Sequence, residues 1–134
     1  MRLLLDTHIV LWAITNDERL TQKAAEWIAN GENEVFYSLL SVWEIAIKHN
    51  KKPDKLPLTD DEFVAYAEQT GLQCLTLNKK HISALKTLQR KEGTGEHHDP
   101  FDRLLICQAK TENMLLLTHD HLLSYYGEPC VLTV

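Results

Sequence analysis

Short apolar runs alternate along the chain with longer stretches in which apolar residues recur every three or four positions. The short runs have the length and side-chain types of strands and cover residues 2–5, 35–38, 73–77, 114–118 and 131–134. Helical periodicity fills most of the gaps between them. The alternation predicts an α/β fold in which a central, mostly parallel sheet is flanked by helices.

Three of the predicted helices carry start signals in the sequence. Thr59 and Glu62 form a capping-box pattern that opens a helix closed by Gly71. Asn78 predicts the start of a second helix that runs to residue 90, and Pro100 takes the favoured first position of a third helix over about 100–113. Residues 92–98, which include two glycines, predict an irregular loop beside the site described below.

Length and composition predict one domain over residues 1–134. The chain has 44% hydrophobic and 25% charged residues, and no apolar stretch approaches the ~20 residues of a membrane span. Asp6 and His8 interrupt the apolar start, so it does not fit a signal peptide, and we expect a cytoplasmic protein without membrane contact. The 3 cysteines are odd in number and widely spaced, which implies no disulfide framework or zinc knuckle.

The distribution of charge is more informative than its sum. A net charge of −5 argues against binding nucleic acid through overall positive charge. Basic residues nevertheless concentrate in two windows, 48–55 and 79–91. Each window is either a basic rim that contacts phosphates or a solvated helix face. Lys48, Lys51 and Lys52 are the candidate substrate contacts.

Four acidic residues occupy positions that predict one shared site. Asp6 and Asp120 follow the first and fourth predicted strands, and we place Glu44 and Asp102 in the first turns of helices that begin at the same sheet edge. Like charges at close range repel, so their convergence requires a positive group between them. Carboxylate oxygens without thiolates suit Mg²⁺ or Mn²⁺, and phosphoryl chemistry is the natural use of such a site.

Most of these acids also have a purely structural interpretation. Glu44 fits the second half of a capping box with Ser41, Asp102 fits a favourable helix dipole, and Asp120 fits a cap on the segment that follows it. For Asp99 we prefer the helix-cap interpretation. Asp6, directly after a buried run, is the hardest of the acids to explain structurally.

Other sequence motifs point to competing chemistry but do not complete it. The chain has no acidic pair at position 6, no Walker sequence and no dinucleotide fingerprint. His97-His98-Asp99 and His119-Asp120-His121 do not match a catalytic zinc pattern, and His119 and His121 need not converge. Tryptophans at 12, 27 and 43 fit core or dimer packing better than base stacking.

Four sequence blocks together resemble the PIN-domain family, and within it the VapC-type toxins of bacterial toxin–antitoxin pairs. They are Leu4-Leu5-Asp6-Thr7-His8, Ser41-Val42-Trp43-Glu44-Ile45, Asp99 to Ala109 and Thr118-His119-Asp120. The resemblance spans nearly the whole chain in the family's order. It implies a PIN-like three-layer fold in which Asp6, Glu44, Asp102 and Asp120 bind metal.

The same resemblance implies further roles and partners. Thr7, Ser41 and Thr118 would donate hydrogen bonds that support the metal-binding acids. Asp99 matches a feature of one subgroup of the family and is an auxiliary candidate for the site. The family implies Mg²⁺- or Mn²⁺-dependent endonuclease action on RNA with one or two ions, homodimers, and inhibition by a small antitoxin. The competing interpretations are a non-catalytic PIN-like module that binds RNA or protein and, less well supported, a receiver-like signalling domain.

Overall fold

Five parallel strands form one sheet in the order β3-β2-β1-β4-β5 in the computed structural model, which describes residues 1–90 and 99–134. The strands are β1 (Arg2–Leu5), β2 (Glu34–Ser38), β3 (Gln73–Leu75), β4 (Leu115–Thr118) and β5 (Val131–Thr133). Each neighbouring pair is parallel. The predicted strands are therefore confirmed, with ends that differ by one or two residues.

Helices connect these strands and cover the sheet. They are α1 (Thr7–Ile14), α2 (Gln22–Ala29), α3 (Leu39–Lys51), α4 (Asp60–Gln69), α5 (Lys79–Ser83) and α6 (Pro100–Glu112). Two 3-10 helices, Ala84–Thr87 and His121–Tyr126, complete the helical elements of the described residues. Within these ranges no helix is long and apolar enough to cross a lipid bilayer.

Alternating side chains of the buried strands divide the core into two layers. Leu3 and Leu5 of β1 face one layer, where they pack with residues of α1, α3 and α4. Leu4 faces the other layer, which includes residues of α6 and of the His121–Tyr126 helix. Strands with both faces covered are nearly continuous in apolar residues, as the sequence of β1 shows. The predicted α/β fold, with a central parallel sheet flanked by helices, is confirmed.

The helix predicted over 78–90 is much shorter than expected. Asn78 caps it as predicted, but α5 ends at Ser83 and a 3-10 helix follows. The backbone at Leu88 is extended, and its side chain is buried in the layer beside α6. Packing of Leu88 thus overrides the local helical pattern. The predicted loop at 92–98 lies outside the described residues.

Two polar contacts, one buried and one partly buried, fix the position of α6. The Ser38 hydroxyl donates to Gln108 Oε1 at 2.6 Å, which joins the end of β2 to the middle of α6. His81 Nε2 lies 2.8 Å from Glu112 Oε1 and joins α5 to the end of α6. These contacts set the angle at which α6 directs its first turn toward the sheet edge.

Candidate active site

The carboxyl ends of the central strands bring the predicted acids to one edge of the sheet. Asp6 follows β1 and Asp120 lies just beyond β4, and these two strands are direct neighbours. Asp102 lies in the first turn of α6, as predicted. Glu44 lies in the second turn of α3, not the first, because Ser38 caps a helix that begins directly after β2.

The four acids border one small cavity, which we call the acid cavity. Its volume is about 140 Å³. Its lining residues are Asp6, Thr7, His8, Glu44, Lys48, Asp99, Asp102 and Asp120. Five carboxylates thus share a confined space with one ammonium group and one imidazole.

Asp6 is held in place from several directions. Its side chain is buried, with 6% of the residue exposed, and it caps α1 by accepting from the Ile9 N–H at 3.0 Å. The Thr118 hydroxyl donates to its other oxygen, and the same hydroxyl accepts from the Asp120 N–H at 3.0 Å. Burial raises the pKa of Asp6, although the hydrogen bonds from Thr118 and Ile9 oppose the rise.

Thr7 and Ser41 form a buried contact behind Glu44. Their hydroxyl oxygens are 2.8 Å apart and connect the start of α1 to the first half of α3. Ser41 lies inside the helix, so the capping box considered for Ser41 and Glu44 is wrong. The contact fixes the spacing of the two helices that carry Thr7 and Glu44.

Asp102 shows the effect of crowding most clearly. Burial, reinforced by the negative charges of Asp99, Asp6, Glu44 and Asp120, raises its pKa to about 7. Four nearby carboxylates therefore disfavour ionisation of a fifth.

Asp99 has the structural role that we preferred for it. Its Oδ1 accepts from the backbone N–H groups of Phe101 at 2.9 Å and Asp102 at 3.2 Å, which caps α6. Asp120 also caps the short helix after it, by accepting from the Leu122 N–H at 2.9 Å. Both carboxylates border the acid cavity at the same time, so capping and a place in the site are compatible.

Lys48 supplies positive charge inside the acid cavity. Its Nζ lies 2.9 Å from Glu44 Oε2, one helical turn away, and the Glu44 side chain is only 12% exposed. This ion pair is more shielded than a typical surface pair, which contributes little. Lys48 therefore partly neutralises the acids.

The chemistry of this donor set suits a hard divalent cation. Carboxylate oxygens dominate the cavity wall, and no thiolate borders it. The raised pKa of Asp102 indicates a local excess of negative charge that a cation would relieve. Within residues 1–90 and 99–134, however, no group of three or more His, Cys, Asp or Glu side chains is already arranged to hold a metal ion.

A second cavity beside the acid cavity is lined by lysines, and we call it the lysine cavity. Its volume is about 330 Å³. Its walls are Thr7, His8, Leu11, Ile45, Lys48, Lys51, Lys52, Lys55 and Leu56. The first basic window therefore gathers at the site, whereas Lys79 and Lys80 of the second window lie exposed on α5 and border neither cavity.

The histidines and tryptophans that the sequence singled out differ in their contacts and exposure. His119 contacts Trp12 with ring centroids 5.1 Å apart, whereas the ring of His121 contacts Tyr125. Trp12 belongs to the core as expected, but Trp43 is 58% exposed. His97 and His98 lie outside the described residues.

Sequence reasoning missed His8 and Gln108. His8 borders both the acid and the lysine cavity, and its place two residues after Asp6 was the available signal. Gln108 is buried and connects α6 to β2. A lone amide among apolar residues in the middle of α6 could have identified it.

Comparison with known proteins gives one family and a consistent set of structures. The family model for the PIN domain matches residues 3–128. A comparison with curated proteins returns no match. Solved structures similar to the chain include VapBC2 from Rickettsia felis bound to a DNA fragment from its promoter, with a TM-score of 0.71 and 18% identity over 100% of this chain and 98% of that one.

Two further structures show the same fold. FitAcB from Neisseria gonorrhoeae has a TM-score of 0.63 and 15% identity over 98% of this chain and 96% of that one. VapBC-1 from nontypeable Haemophilus influenzae has a TM-score of 0.59 and 17% identity over 90% of this chain and 87% of that one. At these identities the similarity establishes the fold.

Proposed function

The chain belongs to the PIN domain family, and from this premise we propose that it is a Mg²⁺- or Mn²⁺-dependent endoribonuclease that hydrolyses RNA phosphodiester bonds. One observation carries the proposal: carboxylates from four separate segments border a single cavity at the carboxyl edge of the sheet. Residues 1–134 would form one nuclease domain that acts in the cytoplasm.

In this proposal Asp6, Glu44, Asp102 and Asp120 hold one or two divalent ions. When bound, such an ion would activate an attacking water as a Lewis acid and would neutralise charge on the phosphate and the departing 3′ oxygen. The expected products carry a 5′-phosphate and a 3′-hydroxyl.

The chain's own residues prepare the site for that chemistry. Thr118 and the Ile9 N–H hold Asp6 in one orientation. The Thr7–Ser41 contact spaces α1 from α3. Lys48, Lys51 and Lys52 line the lysine cavity, where their ammonium groups would neutralise the phosphates of a bound strand. The acids would restrict cleavage to the phosphate that enters the acid cavity. Positioning and charge placement are thus the main contributions of the protein.

The test is cleavage of RNA by the purified chain with and without Mn²⁺ or Mg²⁺. We expect cleavage to stop with EDTA and to fall by about two orders of magnitude or more in Asp6→Asn, as for loss of a group that acts in the transition state. Asp61→Asn, an exposed acid of α4, is the matched control and should cleave normally.

Thermal unfolding establishes whether Asp6→Asn remains folded. A folded Asp6→Asn that cleaves RNA as the unaltered chain does would refute the catalytic assignment. RNA binding without metal-dependent cleavage by the unaltered chain would instead support the competing role, a PIN-like module that binds without cutting.

We propose further that the chain is the toxin of a toxin–antitoxin pair, with a small antitoxin as its partner. The support is its similarity in fold to proteins solved as VapBC2 and FitAcB. Expression of the chain should arrest growth, and the arrest should require Asp6. A small protein encoded next to the gene should relieve the arrest and co-purify with the chain. Arrest that persists in Asp6→Asn would contradict this role.

The toxin would act as a homodimer. Leu39 and Trp43 are 45% and 58% exposed on α3 and border an apolar groove of about 230 Å³ with Leu40 and Leu77. Exposed apolar patches of this kind mark interaction surfaces. Light scattering should give twice the mass of one chain.

A further inference from the structure

His8 borders the acid cavity, the lysine cavity and two further cavities. One of these two, which we call the aromatic cavity, has a volume of about 310 Å³. Its walls are Asp6, His8, Trp12, Arg19, His119 and Asp120. It shares Asp6, His8 and Asp120 with the acid cavity, which in turn shares Thr7, His8 and Lys48 with the lysine cavity. The acid cavity thus adjoins both the lysine cavity and the aromatic cavity.

In the aromatic cavity the exposed rings of His8 and His119 both contact the buried ring of Trp12. Trp12 is only 8% exposed, and its ring centroid lies 5.1 Å from that of His119 and 6.0 Å from that of His8. His8 and His119 are both exposed. Trp12 therefore supports the two histidine rings, and the imidazoles supply the accessible ring surface.

His119 is also held in a defined orientation. Its Nδ1 lies 3.0 Å from the Val134 backbone oxygen, which can only accept, so Nδ1 is the donor. The Nε2 of the neutral ring is then an acceptor for a hydrogen bond from a ligand.

The guanidinium of Arg19 is a further planar group in the wall, and its positive charge is paired with the carboxylate of Asp17. Its Nε and one terminal nitrogen contact the two carboxylate oxygens of Asp17 at 3.1 Å and 2.7 Å. The guanidinium carbon lies 5.2 Å from the Trp12 ring centroid. A guanidinium fixed in this way offers a flat face for stacking.

The charges of the wall determine which part of a nucleotide fits. Asp6 and Asp120 disfavour a phosphate in the aromatic cavity, whereas imidazole and guanidinium planes stack well on nucleobases. The volume lies at the lower end of the ~300–1,000 Å³ typical of small-ligand sites. Phosphates are better accommodated by the lysine cavity, whose wall carries four lysines.

We propose that the aromatic cavity is a nucleobase subsite, which receives the base adjacent to the phosphate in the acid cavity by stacking against His8, His119 and Arg19. This inference rests on the proposed action on RNA. It gives the bound strand a direction across the site, with phosphates on the lysine side and a stacked base on the aromatic side.

The first test measures binding of a fluorescein-labelled RNA oligonucleotide by anisotropy in EDTA, so that metal-dependent cleavage cannot occur. A matched strand in which every nucleotide is abasic retains the phosphates but has no bases. We expect His8→Ala and His119→Ala each to weaken RNA binding about fivefold to tenfold, within the range measured for base stacking. Neither substitution should change the affinity for the abasic strand.

His121→Ala is the matched control, because His121 is also exposed and lies two residues from His119, yet does not border the acid, lysine or aromatic cavity. It should bind both strands as the unaltered chain does.

A second measurement does not depend on the histidine variants remaining folded. In Trp27→Phe/Trp43→Phe the only remaining tryptophan is Trp12. Its fluorescence should be quenched by RNA and much less by the abasic strand at equal occupancy.

The outcomes separate the subsite from the proposed function. Equal Trp12 quenching by both strands, or unchanged RNA affinity in folded His8→Ala and His119→Ala, would overturn the subsite while RNA binding and cleavage by the unaltered chain still supported the ribonuclease. If the unaltered chain neither binds nor cleaves RNA, both proposals are wrong.

Discussion

Asp102 carries the clearest mark of charge repulsion in the acid cavity. Its pKa is raised from 3.8 to about 7 by burial and by four neighbouring carboxylates. Between these two pH values the folded protein retains a proton that the unfolded chain releases. Stability of the metal-free protein therefore falls as pH rises through this interval, and the full penalty is present above about pH 7.

We predict that Asp102→Asn stabilises the metal-free protein because the amide has no charge to bury. Its melting temperature in EDTA should exceed that of the unaltered chain by a few degrees at pH 8, and the difference should shrink toward pH 4. The increase in melting temperature on adding Mn²⁺ should be smaller in the variant than in the unaltered chain. Asp61→Asn is the control, and a lower melting temperature for Asp102→Asn at pH 8 would contradict the clustering of charge.

Lys48 is the residue at which metal and substrate requirements oppose each other. Its ammonium group pairs with Glu44 at 2.9 Å and so offsets part of the charge that attracts a cation. We predict that Lys48→Gln binds Mn²⁺ several-fold more tightly by calorimetry and binds RNA more weakly. Lys55→Gln should weaken RNA binding without tightening Mn²⁺ binding, because among the described residues no ion pair joins Lys55 to an acid of the site. Weaker Mn²⁺ binding in Lys48→Gln would contradict this account.

Individual elements differ in how far the sequence determines them. The buried strands could be predicted because β1 and β4 are apolar on both faces, and a charge directly after β1 marks its end. The edge at which the acids meet follows from parallel strand order. The end of α5 could not be predicted, because it depends on Leu88 packing against a helix that lies further along the chain.

The site shows the same division between local and tertiary information. The positions of the acids were predictable from element ends, and the start of α3 was not, because the cap is Ser38 at the end of the strand itself. Nothing local distinguishes the clustered lysines of window 48–55 from those of α5. Only the meeting of α1 with the end of α3 places the first group beside Thr7 and His8.

The first turn of α6 allows capping to be separated from chemistry at Asp99. Its carboxylate accepts from two backbone N–H groups and also helps to raise the pKa of Asp102. We predict that Asp99→Ala lowers the free energy of unfolding by about 1 kcal/mol relative to Asp99→Ser, because serine can still cap the helix. Urea unfolding in EDTA measures this difference.

RNA cleavage by the same two variants then separates the roles. If Asp99 acts only as a cap, Asp99→Ser should cleave RNA at close to the normal rate. A large loss of cleavage in folded Asp99→Ser would show that the carboxylate itself is needed.

Across the whole molecule, an excess of acid coexists with a local concentration of lysines. The net charge is −5, yet four lysines line one cavity that adjoins the acids. Such a distribution repels polyanions from most of the surface and leaves one favourable approach. The lysine cavity and the acid cavity are then the two halves of one binding surface.

We predict that Lys51→Gln/Lys52→Gln weakens RNA binding and leaves Mn²⁺ affinity nearly unchanged. Ammonium groups that neutralise phosphates release counterions, so losing two contacts should flatten the slope of log affinity against log salt by about two units at most. A bound metal ion depends instead on the carboxylates that contact it. Lys79→Gln/Lys80→Gln removes the same charge from α5, outside the cavities, and is the matched control. If neither double variant changes RNA affinity or its salt slope, the lysines at the end of α3 are a solvated helix end, and the RNA must cross the protein elsewhere. Equal changes in both would show an effect of net charge and would contradict a specific role for the lysine cavity.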